Sequence, residues 1–230
     1  MDGSRFSYTY RRPAFGLTGF AHLFGILAII LMLVWLLHYR GNIDYDSENP
    51  DYVFNVHPVL MFVGYIFLSG QAMMAYKTVP AARGTRKFIH MLLHVIALIM
   101  GIVGICAVFK YHNMKNIEDM YSLHSWIGLG TFCLYVLQWL LGFVVFMLNG
   151  ASADAKFSML GWHMAGGRAL LFMSICAALT GLMEKAHFLG LRHQTEARLV
   201  NFTGLSILLF GVFVDFTVVL GRCVYVKQYP

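Results

Sequence analysis

The chain has 230 residues, of which 59% are hydrophobic and 12% charged, and its formal net charge is +6. With a mean hydropathy of +0.66 it is too apolar for an ordinary water-soluble domain, so a membrane protein is expected. Its basic residues are spread over tails and short loops, which argues against a nucleic-acid interface, and the absence of a GxGxxG or Walker-type phosphate loop leaves no nucleotide domain within the chain.

A bilayer core about 30 Å thick needs roughly 20 mostly apolar residues per helix, and six runs meet that length. The first, Phe15 to His38, follows a tail with Arg5, Arg11 and Arg12; it is too long for a signal-peptide core and lacks a small-residue cleavage site, so it reads as a retained span. After an acidic loop with Asp44, Asp46, Glu48 and Asp51, the second runs from Val56 to Tyr76. Asn55 is its expected N-cap, Pro58 is tolerated in the first turn, and His57 lies two residues past the cap. The third, Phe88 to Phe109, has Thr85 as its expected cap and His90 five residues on. The fourth, Leu123 to Leu148, has Ser122 as cap and His124 two residues on, and the fifth, Met159 to Met183, has Ser158 as cap and His163 five residues on. The sixth runs from Leu199 to Gly221. The connections are too short for a second folded unit, so residues 1–230 read as a single all-α domain, an integral membrane bundle of six helices.

Lysine and arginine set the orientation. Arg5, Arg11, Arg12, Lys77, Arg83, Arg86, Lys87, Lys156, Arg222 and Lys227 fall on the side of the two termini, against Arg40, Lys110, Lys115, Lys185, Arg192 and Arg198 opposite, beside the acidic loop. Both termini are therefore expected in the cytoplasm. Cys106, Cys133, Cys176 and Cys223 show no CxxC spacing and read as small packing residues.

Of ten histidines, the informative ones are His57, His90, His124 and His163, since an ionisable side chain inside a span is a functional hypothesis by default. Each lies near the start of its helix, on consecutive antiparallel spans, so two fall toward each face. The cap offsets give the outer two one depth and the inner two another. Equal depth on different helices suits a bridging ligand; a bare zinc ion would want four protein ligands, whereas a porphyrin supplies four nitrogens and leaves two axial positions. The pattern therefore predicts two bis-histidine haems among the second to fifth helices, with irons roughly 20 Å apart along the membrane normal. His94, one turn after His90, is a competing inner ligand but should lie about 6 Å deeper than His163. His22, His38, His187 and His193 read as packing or interface residues. Arg168 and Asp215 both fall in the half of the bilayer near the termini and are expected to form a buried ion pair, with a haem propionate as the alternative partner of Arg168.

The segments FNVHPVLM, HNMKNIEDMYSLHSWIGL, MLGWH and GLMEK, with HYRG after the first span, resemble the cytochrome b561 proteins over nearly the whole chain. The resemblance implies a homodimer of six-helix subunits, each with two b-type haems, in an endomembrane of vacuolar type or the plasma membrane. Electrons would pass from cytosolic ascorbate to monodehydroascorbate or a ferric chelate on the other side. The family's axial ligands fall on His57, His124, His90 and His163. Its ascorbate contacts fall on Arg83, Lys87 and Lys156, and the basic residue approaching the inner haem on Lys77. The segment at the outer haem falls on Asp119, Met120, Tyr121 and Ser122, an acidic haem contact on Glu184, and the outer acceptor site on Tyr111, His112 and Asn201. An ascorbate monoanion would be drawn to the basic inner cluster; the alternative is that these charges only fix topology. Two other functions compete: a haem b anchor subunit passing electrons to quinone or a partner oxidoreductase, and a metal transporter using His and the fourteen methionines, whose spacing looks like packing.

Overall fold

With no water in the hydrocarbon, every backbone N–H and C=O of a crossing segment has to be satisfied within that segment, which leaves helices for these six apolar runs. The computed structural model describes residues 6–10, 12–148, 150–221 and 223–227, with side chains from residue 16 to 221 except at 149. Of the charges used to set orientation, Arg5, Arg11 and Arg222 lie outside the described residues, as do the side chains of Arg12 and Lys227 and the thiol of Cys223. The spans are α1 (helical from Arg12, crossing over Gly16–Tyr39), α2 (Pro50–Thr78), α3 (Arg83–Lys115), α4 (Leu123–Met147), α5 (Ala153–Phe188) and α6 (Thr195–Leu220). A short antiparallel ribbon, β1 (Phe6–Tyr10) on β2 (Cys223–Lys227), joins the chain ends with Phe6 opposite Lys227. An even number of crossings brings both ends to one face, and the ribbon adds a small extramembrane element to an otherwise helical protein.

Helix starts correct the expected caps. Ser122 does cap α4: its hydroxyl accepts from the Ser125 N–H, and the Ser125 side chain reaches back to Ser122 N, a reciprocal capping box. The other three helices begin farther out, with Asn49 capping α2, Ala82 preceding α3 and Ser152 capping α5. Asn55 is instead fully inside, its amide donating to the carbonyls of Asn42 (2.7 Å) and Arg40 (3.4 Å), where it ties α2 to the end of α1. Thr85 lies within the first turn and Ser158 in the second turn of helices already begun. The equal-offset argument for depth therefore does not stand, because three of its four reference points are not helix ends.

The sixth helix packs against α1, α2 and α5. Phe213 stacks on Phe20 and Phe24 of α1, while Phe210, Ile207, Trp35 and Phe62 are buried almost completely. Gly211 lets the two last helices approach so closely that a Cβ there would overlap Ile175. Pro58, which lacks an N–H, is followed by a π-helical stretch over Leu60–Phe67, the local widening expected where the i→i−4 ladder is broken. Cys106, Cys133 and Cys176 are exposed on the outward surface rather than packed inside; a thiol behaves as a small hydrophobe and is at home against lipid. Trp126 and Trp162 also point outward, as interface anchors do.

Arg168 and Asp215 meet as expected, in a two-point contact of Nε on Oδ1 (2.6 Å) and NH2 on Oδ2 (3.1 Å), with the carboxylate mostly buried and the guanidinium side chain 42% exposed. Asp215→Asn should lower the unfolding free energy by about 1–2 kcal/mol, below the 3–5 kcal/mol of a fully buried pair because the arginine keeps partial access to its surroundings. Arg168→Met with Asp215→Leu should recover part of that loss. Thermal unfolding in detergent, followed by tryptophan fluorescence, checks both, and equal melting of the single variant and the parent would refute the coupling.

Candidate functional site

A histidine in a helix bundle is defined by what its two ring nitrogens meet. His57 Nδ1 lies 2.9 Å from Gly104 O, His90 Nδ1 2.8 Å from Ala72 O, and His124 Nδ1 2.8 Å from Ala177 O. A carbonyl only accepts, so each Nδ1 carries the proton and each Nε2 presents a bare lone pair. The three contacts run between neighbours: α2 and α3 exchange them in both directions, and α4 makes one to α5. His163 of α5 is held differently, by Gln138 of α4, whose Nε2 donates to His163 O (2.7 Å) and lies 3.2 Å from His163 Nδ1.

Anchored to a neighbour, each ring faces the diagonal helix. His57 and His124 have centroids 6.1 Å apart, and His90 and His163 6.2 Å apart. Two imidazoles bound collinearly to one metal through bonds of about 2.0 Å would place their centroids roughly 6 Å apart. Both pairs therefore fit an iron between them. No group of three or more His, Cys, Asp or Glu able to hold a metal stands together among the described residues, so each pair could offer a metal two ligands, and a group such as a porphyrin would have to bring the other donors. His94 packs on His90 (4.5 Å), but its Nδ1 is engaged by the Tyr135 hydroxyl (2.6 Å), and it is His90 that faces His163.

Glycines keep the rings in place. A Cβ at Gly181 would stand 2.7 Å from the His124 ring and one at Gly142 2.9 Å from His163, while Gly104 lets Leu60 and Met61 of α2 close on α3 at the carbonyl that takes His57. Sequence reading had no way to find these glycines, the accepting carbonyls or Gln138, since each acts across a helix contact.

The outer pair opens into a cavity of about 380 Å³ lined by His57, His124, Phe62 and Tyr65, with Tyr111, His112, Tyr121, Glu184 and Lys185 toward its mouth. The loop over it turns through left-handed residues at Asn116 and Met120, and Trp126 Nε1 donates to Met120 O (2.8 Å) to hold it down. Met120, Tyr121 and Ser122 line the cavity, whereas Asp119 stands behind it and accepts from His112 Nδ1 at 2.7 Å. Tyr121 OH donates to Glu184 (2.9 Å). Asn201 is not brought to this group; it lines a separate groove of about 410 Å³ between the outer ends of α5 and α6, with His187 and Arg192.

At the opposite end stand Lys77, Arg83, Lys87 and Lys156. Lys77 lies in the last turn of α2, one residue after Tyr76, whose ring touches His90 (5.4 Å). Arg83 is the first residue of α3 and Lys156 lies in the first turn of α5. Lys87 Nζ donates to Phe146 O (2.9 Å), and the Phe146 ring packs on His163 (5.3 Å). Cations at helix N-termini oppose the macrodipole, so Arg83 and Lys156 gain nothing from their helices, whereas Lys77 in the last turn of α2 does.

A model of the family described as eukaryotic cytochrome b561 matches residues 56–189. The chain is similar to transmembrane ascorbate ferrireductase 1 of Arabidopsis thaliana, 43% identical over 211 residues that cover 90% of this chain and 88% of that protein. It is also similar to probable ascorbate-specific transmembrane electron transporter 1 of Oryza sativa subsp. japonica (45% over 199 residues, 84% and 85% covered). A transmembrane ascorbate-dependent reductase of Mus musculus is 41% identical over 200 residues, 85% and 79% covered.

At the cavity mouth, loss of solvation and then the Glu184 carboxylate push the Tyr121 phenol up to about 12. A raised acid keeps its proton in the native state, so any stability from this contact is fully present below the ordinary tyrosine value near pH 10 and is lost as pH rises toward 12. The ultraviolet difference between parent and Tyr121→Phe should show no phenolate signal at pH 10 and one appearing near pH 12. A signal already half developed at pH 10 would mean that Tyr121 does not donate to Glu184.

Proposed function

We propose that this chain, which belongs to the eukaryotic cytochrome b561 family, carries single electrons across a membrane from ascorbate to monodehydroascorbate or a ferric chelate, using two b-type haems. It is an oxidoreductase, as are the relatives named as ascorbate ferrireductase and ascorbate-dependent reductase. One haem would be held by His57 and His124, the other by His90 and His163. The observation that carries this reading is the pair of near-equal imidazole separations, 6.1 and 6.2 Å, in opposite halves of one bundle.

Haem held by these four histidines would supply a one-electron iron couple, the chemistry that outer-sphere transfer needs. The residues do the rest. Three Nδ1–H to carbonyl contacts fix the ring planes and raise the basicity of the ligating nitrogens. Arg83, Lys87 and Lys156 would bind the ascorbate monoanion, which loses one electron and one proton to leave monodehydroascorbate. Lys87 already lies against the Phe146 carbonyl beside His163, so an anion it holds would sit next to an axial ligand. At the other end His112, Tyr111 and Tyr121 would receive the acceptor, which gains the electron; a ferric chelate leaves as the ferrous form. The excess of Lys and Arg at the ascorbate end supports the reading that this end, and both termini, face the cytoplasm.

Purified protein in vesicles loaded with ascorbate should reduce external ferric citrate, read as a ferrous-specific colour outside. His90→Ala and His124→Ala should each remove one of two spectrally distinct b haems and stop the transfer. Retention of both haem signals in either variant would overturn the ligand assignment, and haem that ascorbate fails to reduce would favour an anchor-subunit role instead.

A further inference from the structure

Lys185 stands at the mouth of the outer cavity in an arrangement that helix packing does not explain. Its ammonium lies 3.7 Å from the centre of the Phe54 ring and 5.3 Å from that of Tyr111. The carboxylates nearby are engaged elsewhere: Glu184 by Tyr121, Asp119 by His112, and Asp51 by Lys115 at 3.9 Å. Among the described residues no carboxylate or carbonyl takes a hydrogen bond or ion pair from Lys185 Nζ. A half-buried cation held on two aromatic faces, with Asp51 attracting it only from beyond ion-pair distance, is poised to receive an anion from outside. Its support leads inward as well, because Phe54 packs against Tyr111 (5.0 Å) and against the His57 ring (6.3 Å).

We propose that Lys185 is the anion anchor of the outer acceptor site, and that the acceptors taken at this face are those carrying net negative charge. The proposal rests on the transmembrane reading given above and names the residue that holds its acceptor. The acceptor's negative group pairs with Lys185 Nζ, and its electron-accepting centre lies over Phe54, one ring from His57. The acceptor takes up one electron there; a ferric chelate changes no bond, while monodehydroascorbate also takes one proton from water and becomes the ascorbate monoanion.

The test uses two outer-sphere oxidants of opposite charge, ferricyanide and tris(bipyridine)cobalt(III), added outside vesicles that hold ascorbate. Lys185→Met should raise KM for ferricyanide about tenfold, the size expected for loss of one guiding charge, and leave KM for the cobalt cation unchanged or lower. Haem spectra and the rate of haem reduction by ascorbate should stay as in the parent, and Lys185→Arg should restore most of the ferricyanide KM. Parent protein that reduces neither oxidant overturns the transmembrane reading and this inference with it. Parent protein that reduces both, with Lys185→Met shifting neither KM or shifting both equally, overturns the inference alone.

Discussion

The arrangement depends on one contact made three times: an imidazole Nδ1–H donated to a main-chain carbonyl of the adjacent helix. An unpartnered polar group in hydrocarbon costs several kcal/mol, so each ring is compelled to find an acceptor, and the carbonyls of a neighbouring helix are what the bundle offers. The contact sets tautomer, ring plane and direction at once. With one nitrogen committed sideways, the other projects toward the diagonal helix, and two such rings converge at about the spacing that a shared metal requires.

That geometry fixes what the helices can carry at their contacts. A carbonyl is reachable only if backbones come close, and Gly104 provides the approach at His57. Gly181 and Gly142 keep free the volume that the His124 and His163 rings occupy, where a methyl group would press on them. The fourth ring breaks the rule. Gln138 presents an amide nitrogen to His163, and that same nitrogen also ties the His163 carbonyl, so at this pair α4 holds the α5 ring with a side chain, where α2 holds the His90 ring with a backbone carbonyl. The inner pair therefore has one carbonyl-locked ring and one amide-held ring, and the two ends of the bundle are not chemically equivalent.

Features governed by a single segment were legible in the sequence. Length and apolarity located the six spans, though the start of the second and both ends of the third and fifth were set five or six residues inside the helices; Ser122 announced a helix start, and the rarity of charge inside a span singled out Arg168 and Asp215. The four histidines were found for the same reason, although the depth argument used caps that Asn55, Thr85 and Ser158 do not provide. Those three failed because a short polar side chain is an equally good partner for a loop carbonyl or the interior of an opening turn or two, and only the path of the preceding chain decides which. Contacts across helices left no local signal. Nothing in GLMEK distinguishes a lysine resting on Phe54 from one dissolved in water, and nothing near Asn201 indicates that α6 turns it toward a groove apart from His112.

Under the proposed function the two ends pose the same recognition problem, since ascorbate, monodehydroascorbate and ferric citrate are all anions. The protein answers it in two ways. At the end holding the termini, several cations are gathered at helix N-termini, where the macrodipole adds to their field. At the other end the acidic loop and Glu184 would repel an anion, but the nearest carboxylates are bound to Tyr121, His112 and Lys115, and Lys185 remains on its aromatic support. A site for a negative molecule can therefore exist inside a locally acidic surface. With anion-binding groups at both faces, charge recognition itself favours neither direction of transfer, and the direction is left to the composition of the two aqueous pools.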